Sequence, residues 1–225
     1  MPQPIAEIIR HGVLFDVKNW KNPVFSSDNL MALVEQLFTT LTEREIDYLL
    51  VGGVALLSYI EGRNTQDIDL IMAKSDLNRL PEISLTNENQ DFARGMFQDL
   101  QIDLLLTQNG LFNQVKQNYA TERQFGDRTL TCATVEGLLL LKFYALPSLY
   151  RQGDFNRVSI YENDILQLLL SHQAQLPPLL KVLERYLSAT DLQEIQSIAA
   201  DIQDRIARFQ TSRQRLENGA DSDPA

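Results

Sequence analysis

Asp67 and Asp69 stand one residue apart in Thr65-Gln66-Asp67-Ile68-Asp69-Leu70-Ile71, and thirteen residues separate them from a glycine pair, Gly52-Gly53, that ends an apolar run. In an extended chain, side chains at i and i+2 point the same way, so both carboxylates project from one face while Ile68 is buried on the other. Two hard oxygen ligands converging on one point suit magnesium. A third acid, Asp103, interrupts the apolar run Gln101-Ile102-Asp103-Leu104-Leu105-Leu106. If its strand pairs beside that of Asp67 and Asp69, three carboxylates share one space and repel unless cations lie among them. Two ions about 3.5–4 Å apart would then clamp the attacking and leaving oxygens of an in-line displacement at phosphorus. Asp103 would lie near the attacking hydroxyl. Gly52 and Gly53 let the backbone approach a ligand closely, and the helix after them offers free N–H groups and a positive dipole end to a phosphate. The pattern predicts metal-assisted nucleotide chemistry.

Each element alone has a plainer explanation. Asp is frequent at strand ends, glycosyltransferases also use a D-x-D pair, and a glycine pair after a strand is often only a turn. Yet an uncompensated carboxylate inside an apolar run is costly to bury, and here three occur in a consistent order. Arg63 and Thr65 stand just before the acidic strand, where the guanidinium would bind a phosphate or pair with Asp67 and Asp69. Lys142 lies among Leu138 to Leu141 and Phe143, so it either snorkels outward or meets an anion. Asp164 is a partner for Lys142 or Arg157 in a structural role. His11, near Phe15 and Trp20, and His172 have no second metal ligand nearby in sequence. Cys132, in Thr129-Leu130-Thr131-Cys132-Ala133, is expected to be a buried inert thiol.

The elements that must position these residues follow from periodicity. Leu30, Leu33, Val34, Leu37, Phe38 and Leu41 give residues 28–44 the pattern of an amphipathic helix with Asp28 as a cap. Tyr48 to Val51 reads as a buried strand entering the glycine turn, with a helix expected over 54–61. Asp67 to Met72 and Gln101 to Leu106 read as two further strands. Residues 75–100 show few periodic apolar positions, although Phe92, Met96, Phe97 and Leu100 fit another strand or helix. From Thr134 the pattern turns helical: Val135 to Leu146, closed by Pro147, then 160–172, 176–188 and 190–214. Leu192, Ile195, Ala199, Ile202, Ile206 and Phe209 form a short heptad seam that predicts a partner helix, either the chain's own helical part or a second molecule. Residues 217–225 have no apolar face and are expected to form a disordered tail. The domain organisation expected is 1–130, then a helical domain over 131–216, then that tail.

Composition bounds the function. The chain has 225 residues, 44% of them hydrophobic, enough for a real core, and a net charge of −10. That balance argues against a long nucleic acid as partner, because such affinity comes largely from Lys and Arg neutralising phosphates. A lone cysteine forms no internal disulfide, and the start Met1-Pro2-Gln3-Pro4 lacks a basic region leading into an apolar one. A cytoplasmic location is expected, with no membrane insertion, since no apolar stretch approaches the ~20 residues that span a bilayer.

Gly52-Gly53, the thirteen-residue interval, Asp67-Ile68-Asp69-Leu70 and Ile102-Asp103-Leu104 resemble the signature of the DNA polymerase beta-like nucleotidyltransferase superfamily. Within it, Val51-Gly52-Gly53-Val54-Ala55-Leu56 and Gly62 to Leu70 are similar to AbiEii-type bacterial nucleotidyltransferase-like proteins of toxin–antitoxin and phage-defence systems. Glu136 to Ala145, followed by Asn163-Asp164-Ile165, is similar to the second half of that group. The resemblance covers residues 28–172 and implies an α+β chain: a minimal nucleotidyltransferase fold, a small mixed sheet flanked by helices, followed by a C-terminal helical domain. It implies Asp67 and Asp69 as ligands of magnesium (or manganese), with Asp103 as ligand and activator of the acceptor hydroxyl. It also implies Gly53 and Ser58 near the nucleotide phosphates and Lys142 reaching toward the site. Gly53 departs from the serine many members carry, which removes one hydroxyl contact to the phosphate.

The leading expectation is an enzyme that moves a nucleoside monophosphate from an NTP to a hydroxyl of a protein, a tRNA or a small molecule, releasing pyrophosphate. The alternative is a non-catalytic module with the same fold that acts through a protein partner, or associates with itself through the helix at 190–214. Retention of all three acids speaks against that module, because without metal their repulsion only destabilises. A metal-dependent glycosyltransferase would need a longer nucleotide-sugar domain than the roughly 100 residues before the helical half.

Overall fold

The computed structural model describes residues 27–60, 65, 67–125 and 128–220. The chain divides into two compact units, Met1–Leu141 and Lys142–Ala225. In the first, helix α1 (Ser27–Glu43) leads to strand β1 (Tyr48–Val51), helix α2 (Gly52–Leu57) and strand β2 (Asp67–Met72). After them come α3 (Lys74–Leu77), β3 (Ile83–Glu88), β4 (Phe92–Phe97), β5 (Leu100–Leu106), α4 (Gly110–Asn118), β6 (Ala120–Phe125) and β7 (Arg128–Ala133). The strands form one mixed sheet in the order β3-β4-β5-β2-β1-β7-β6. β2 runs antiparallel to β1 and parallel to β5, while β1 runs parallel to β7.

The sheet holds together because β5 and the first half of β2 alternate while β1 is buried almost throughout. Ile68 and Leu70 on β2, Ile102 and Leu104 on β5, and Leu49 and Leu50 on β1 are buried, with Leu37, Phe38 and Leu41 of α1 and Leu111, Phe112 and Val115 of α4. Fully burying one such side chain contributes about 1.5–3 kcal/mol. The opposite face of β2 and β5 carries Asp67, Asp69 and Asp103, each only partly buried. Asn109 caps α4 by accepting from the Leu111 and Phe112 N–H groups at 3.0 and 3.3 Å.

Residues 75–100 are more ordered than their sequence suggests. β3 and β4 form an antiparallel hairpin, with β4 also antiparallel to β5, so the sheet is larger than the three strands expected. Asn89 closes that hairpin by accepting from the Asp91 and Phe92 N–H groups, each at 2.9 Å. The helix expected over 54–61 instead begins at Gly52, and both glycines lie in its first turn.

Helix α5 (Val135–Gln152) spans the division between the units, and α6 (Phe155–Ser171), α7 (Leu176–Leu183) and α8 (Ala189–Ala220) complete the second. Pro147 does not close α5, which continues one and a half turns beyond it. A proline there forfeits a hydrogen bond, yet Phe143, Leu146 and Leu149 are all buried, so the apolar stripe continues across it and packing outweighs the loss. Ile195, Ala199 and Ile202 of the heptad seam are buried, and α8 packs on α6 and α7 of its own chain. The seam ends at Phe209, which is 56% exposed. α8 also runs through Ala220, so residues 217–220 are helical where a tail was expected, and 221–225 lie outside the described residues. No helix among the described residues is long and apolar enough to cross a membrane.

Candidate active site

Strand register assembles the acids. β2 and β5 pair in parallel with Asp69 opposite Asp103 and Asp67 opposite Gln101, so three carboxylates rise from adjacent strands on one face. One oxygen from each lies within 4.8 Å of the others. Hard oxygen donors at that separation fit a magnesium or manganese ion, and with no cation between them they repel.

The glycine pair fits against these carboxylates. Gly52 has φ +63°, and a Cβ there would lie 1.8 Å from Asp69 Oδ2. A Cβ on Gly53 would lie 2.2 Å from Thr65 Oγ1. The Gly53 N–H donates to Asp69 Oδ2 at 3.3 Å, and the Thr65 hydroxyl donates to Asp67 Oδ1 at 3.0 Å. The first turn of α2 therefore holds Asp69, and Thr65 holds Asp67. Replacing Gly52 by Ala should displace Asp69 and impose a left-handed residue with a Cβ, lowering stability by about 1–3 kcal/mol. Urea unfolding alongside manganese titration would register both losses; an unchanged manganese affinity would mean that Asp69 does not need this contact.

Ser58 is the C-terminal cap of α2, at the far end of that helix from Gly52, and its hydroxyl donates to the Ala55 carbonyl at 2.6 Å. Arg63 lies outside the described residues. Lys142 belongs to the second unit, where its Nζ is 2.6 Å from Asp164 Oδ2 and 4.1 Å from the centre of the Tyr161 ring. Both members of that ion pair are buried. His11 is outside the described residues, and His172 caps the end of α6. Burial pushes the Cys132 thiol up to about 12, with nearby Arg123 opposing, as an inert cysteine requires.

Sequence reasoning missed Arg94. β4 places it directly opposite Asp103, and its guanidinium grips that carboxylate with both prongs, Nε to Oδ1 at 2.7 Å and Nη2 to Oδ2 at 2.5 Å. Gln101 Nε2 also donates to Oδ1, at 3.3 Å. The Asp103 hydrogen bond, opposed by partial burial and reinforced by the charges of Asp103, Asp67 and Asp69, holds the Arg94 proton more tightly than usual. The available signal was the alternation Phe92-x-Arg94-x-Met96, which sets a cation on one face of a strand pairing with Asp103's strand.

No protein-family model and no curated protein sequence matches the chain. Solved structures do. An antigenic nucleotidyltransferase-like protein from Paracoccidioides brasiliensis superposes with a TM-score of 0.53 at 15% identity, over 82% of this chain and 93% of its own. The fold is nucleotidyltransferase-like. The antibiotic-resistance factor ANT(2'')-Ia shares it in solution, with a TM-score of 0.51 at 13% identity over 84% of this chain and 98% of its own. So does a crystal structure of ANT(2'')-Ia in complex with adenylyl-2''-tobramycin, with a TM-score of 0.51 at 14% identity over 79% and 98%. In this nucleotidyltransferase-like fold the mixed sheet carries the acids, and a helical region follows it, as the sequence implied.

Proposed function

We propose that the protein is a metal-dependent nucleotidyltransferase that moves a nucleoside monophosphate from an NTP to a hydroxyl acceptor. The observation that carries this is the convergence of Asp67, Asp69 and Asp103 within 4.8 Å on a nucleotidyltransferase-like fold. Asp67, Asp69 and Asp103 would hold the metal, which when bound neutralises charge on the phosphates and polarises the phosphorus centre. Gly52, Gly53 and Thr65 orient the acids, with the nucleotide on the β1 side of β2 and with Arg63, just before that strand in sequence, as a further nucleotide contact. The acceptor oxygen attacks the α-phosphorus, its proton passes to Asp103, and the bond to the β-phosphate oxygen breaks to release pyrophosphate.

A small-molecule acceptor fits best. One neighbour of the same fold is crystallised with adenylyl-2''-tobramycin, and a net charge of −10 disfavours a long nucleic acid. The AbiEii-type resemblance adds a toxin–antitoxin or phage-defence setting, and a cytoplasmic site of action fits the single, buried Cys132. One observation favours the second reading, a non-catalytic binding module: Arg94 already engages both oxygens of Asp103.

Incubation with each α-labelled NTP, magnesium and a cell extract separates the two. Labelled acceptor should form with the parent protein and fall at least about 10²-fold with Asp103→Asn. Absence of label with all four nucleotides, while metal and NTP still bind, would establish the module.

A further inference from the structure

We propose that Arg94 is a displaceable counterion: it holds Asp103 until metal binds, and its freed fork then receives an anionic group, carboxylate or phosphate, on the acceptor. This deepens the transfer reading above and rests on it.

Position across the sheet is the first argument. The register row runs Asn87, Arg94, Asp103, Asp69, Val51 over β3, β4, β5, β2 and β1. The glycine turn follows Val51, so the backbone N–H groups at Gly52 and Gly53 lie on one side of the acids and Arg94 on the other. A triphosphate on the glycine side leaves the Arg94 side for the molecule whose hydroxyl approaches Asp103. Phe92 and Met96 flank Arg94 on the same face of β4, and Phe92 is 46% exposed, giving an apolar surface beside one cation.

Charge is the second. Both Asp103 oxygens accept from Arg94, so a cation that ligates Asp103 shares those oxygens with the guanidinium and meets its positive charge. The three acids carry three negative charges, and two divalent ions bring four positive ones. Once loaded, the site no longer needs the guanidinium, whose side chain is already 42% exposed. Within the two strands of the hairpin the one acid is Glu88, which lies opposite Ala93 on the other face and pairs with Lys74. A planar fork that holds a carboxylate with two bonds is suited to a carboxylate or phosphate of a ligand. A cationic acceptor would meet a like charge.

Local structure fixes the residue in place. A β-bulge between Leu85 and Asn87 lies opposite Arg94, and the Thr86 hydroxyl donates to the Arg94 carbonyl at 3.1 Å. The bulge sets the twist of the hairpin at the point where the guanidinium leaves it.

The test uses the full chain with Arg94→Gln and Arg94→Lys, read by manganese titration and by transfer from labelled NTP to extract fractions separated by charge. Arg94→Gln should bind manganese about tenfold more tightly, because no cation competes for Asp103. Arg94→Lys keeps the charge and should bind it as the parent does. The extract fractions that accept label should be those an anion exchanger retains before labelling, and both variants should raise the KM for that acceptor by about tenfold or more while kcat falls less. Unchanged or weaker manganese binding in Arg94→Gln would overturn the counterion role. A neutral or cationic acceptor, or an unchanged KM, would overturn the docking role. A parent protein that binds neither metal nor NTP would instead sink the transfer reading, and this proposal with it.

Discussion

Asp67→Ala combined with Asp69→Ala is expected to abolish the rise in melting temperature that magnesium or manganese with an NTP should produce in the parent protein. At a ligand concentration about 100 times Kd, binding adds roughly 2.7 kcal/mol, or about 5–10 °C for a chain of this size. Transfer should fall at least about 10³-fold, as when a group that stabilises transition-state charge is lost. The sign reverses without ligand. Removing two of three mutually repelling carboxylates should leave the metal-free variant no less stable than the parent. Differential scanning calorimetry with and without manganese reads both effects, and a thermal shift that survives the double substitution would locate the nucleotide elsewhere.

The second large effect lies in the helical unit. Asp164→Ala should destabilise that unit by about 3–5 kcal/mol, because it leaves the Lys142 ammonium buried without its carboxylate. The side chains of Lys142 and Asp164 are 7% and 2% exposed, so water does not substitute for the lost partner. Lys142→Met with Asp164→Leu should recover most of the loss, since apolar residues of similar volume carry no stranded charge. Urea unfolding followed by circular dichroism distinguishes these. If Asp164→Ala costs under about 1 kcal/mol, the pair behaves as a surface ion pair.

What the sequence revealed depended on burial. β1 and β2 were readable to the residue, Tyr48–Val51 and Asp67–Met72, because continuous or alternating apolar runs end in glycines and acids. The same alternation made Asp67, Asp69 and Asp103 conspicuous, since each breaks an apolar strand. β3 carried no such signal: only Ile83 of its six residues is buried, so its strand character comes from pairing with β4 and from the Asn89 turn. Arg94 was illegible for a related reason, as its meaning depends on a strand pairing that juxtaposes it with Asp103. Pro147 misled in the opposite direction, a local stop signal overridden by packing on both sides of it.

The order of strands also divides the site by rigidity. β2 and β5 each have a hydrogen-bonded neighbour on both sides, whereas β3, at the margin of the sheet, has a ladder with β4 alone. Amide hydrogens of β2 and β5 should therefore exchange only with global unfolding, and those of β3 through local opening of low free energy. The three carboxylates proposed to hold the metal are thus carried by strands paired on both sides. Variation along β3 and the outward face of β4 can accumulate without moving them, which would leave one margin of the proposed reaction centre open to evolutionary change in what it accepts.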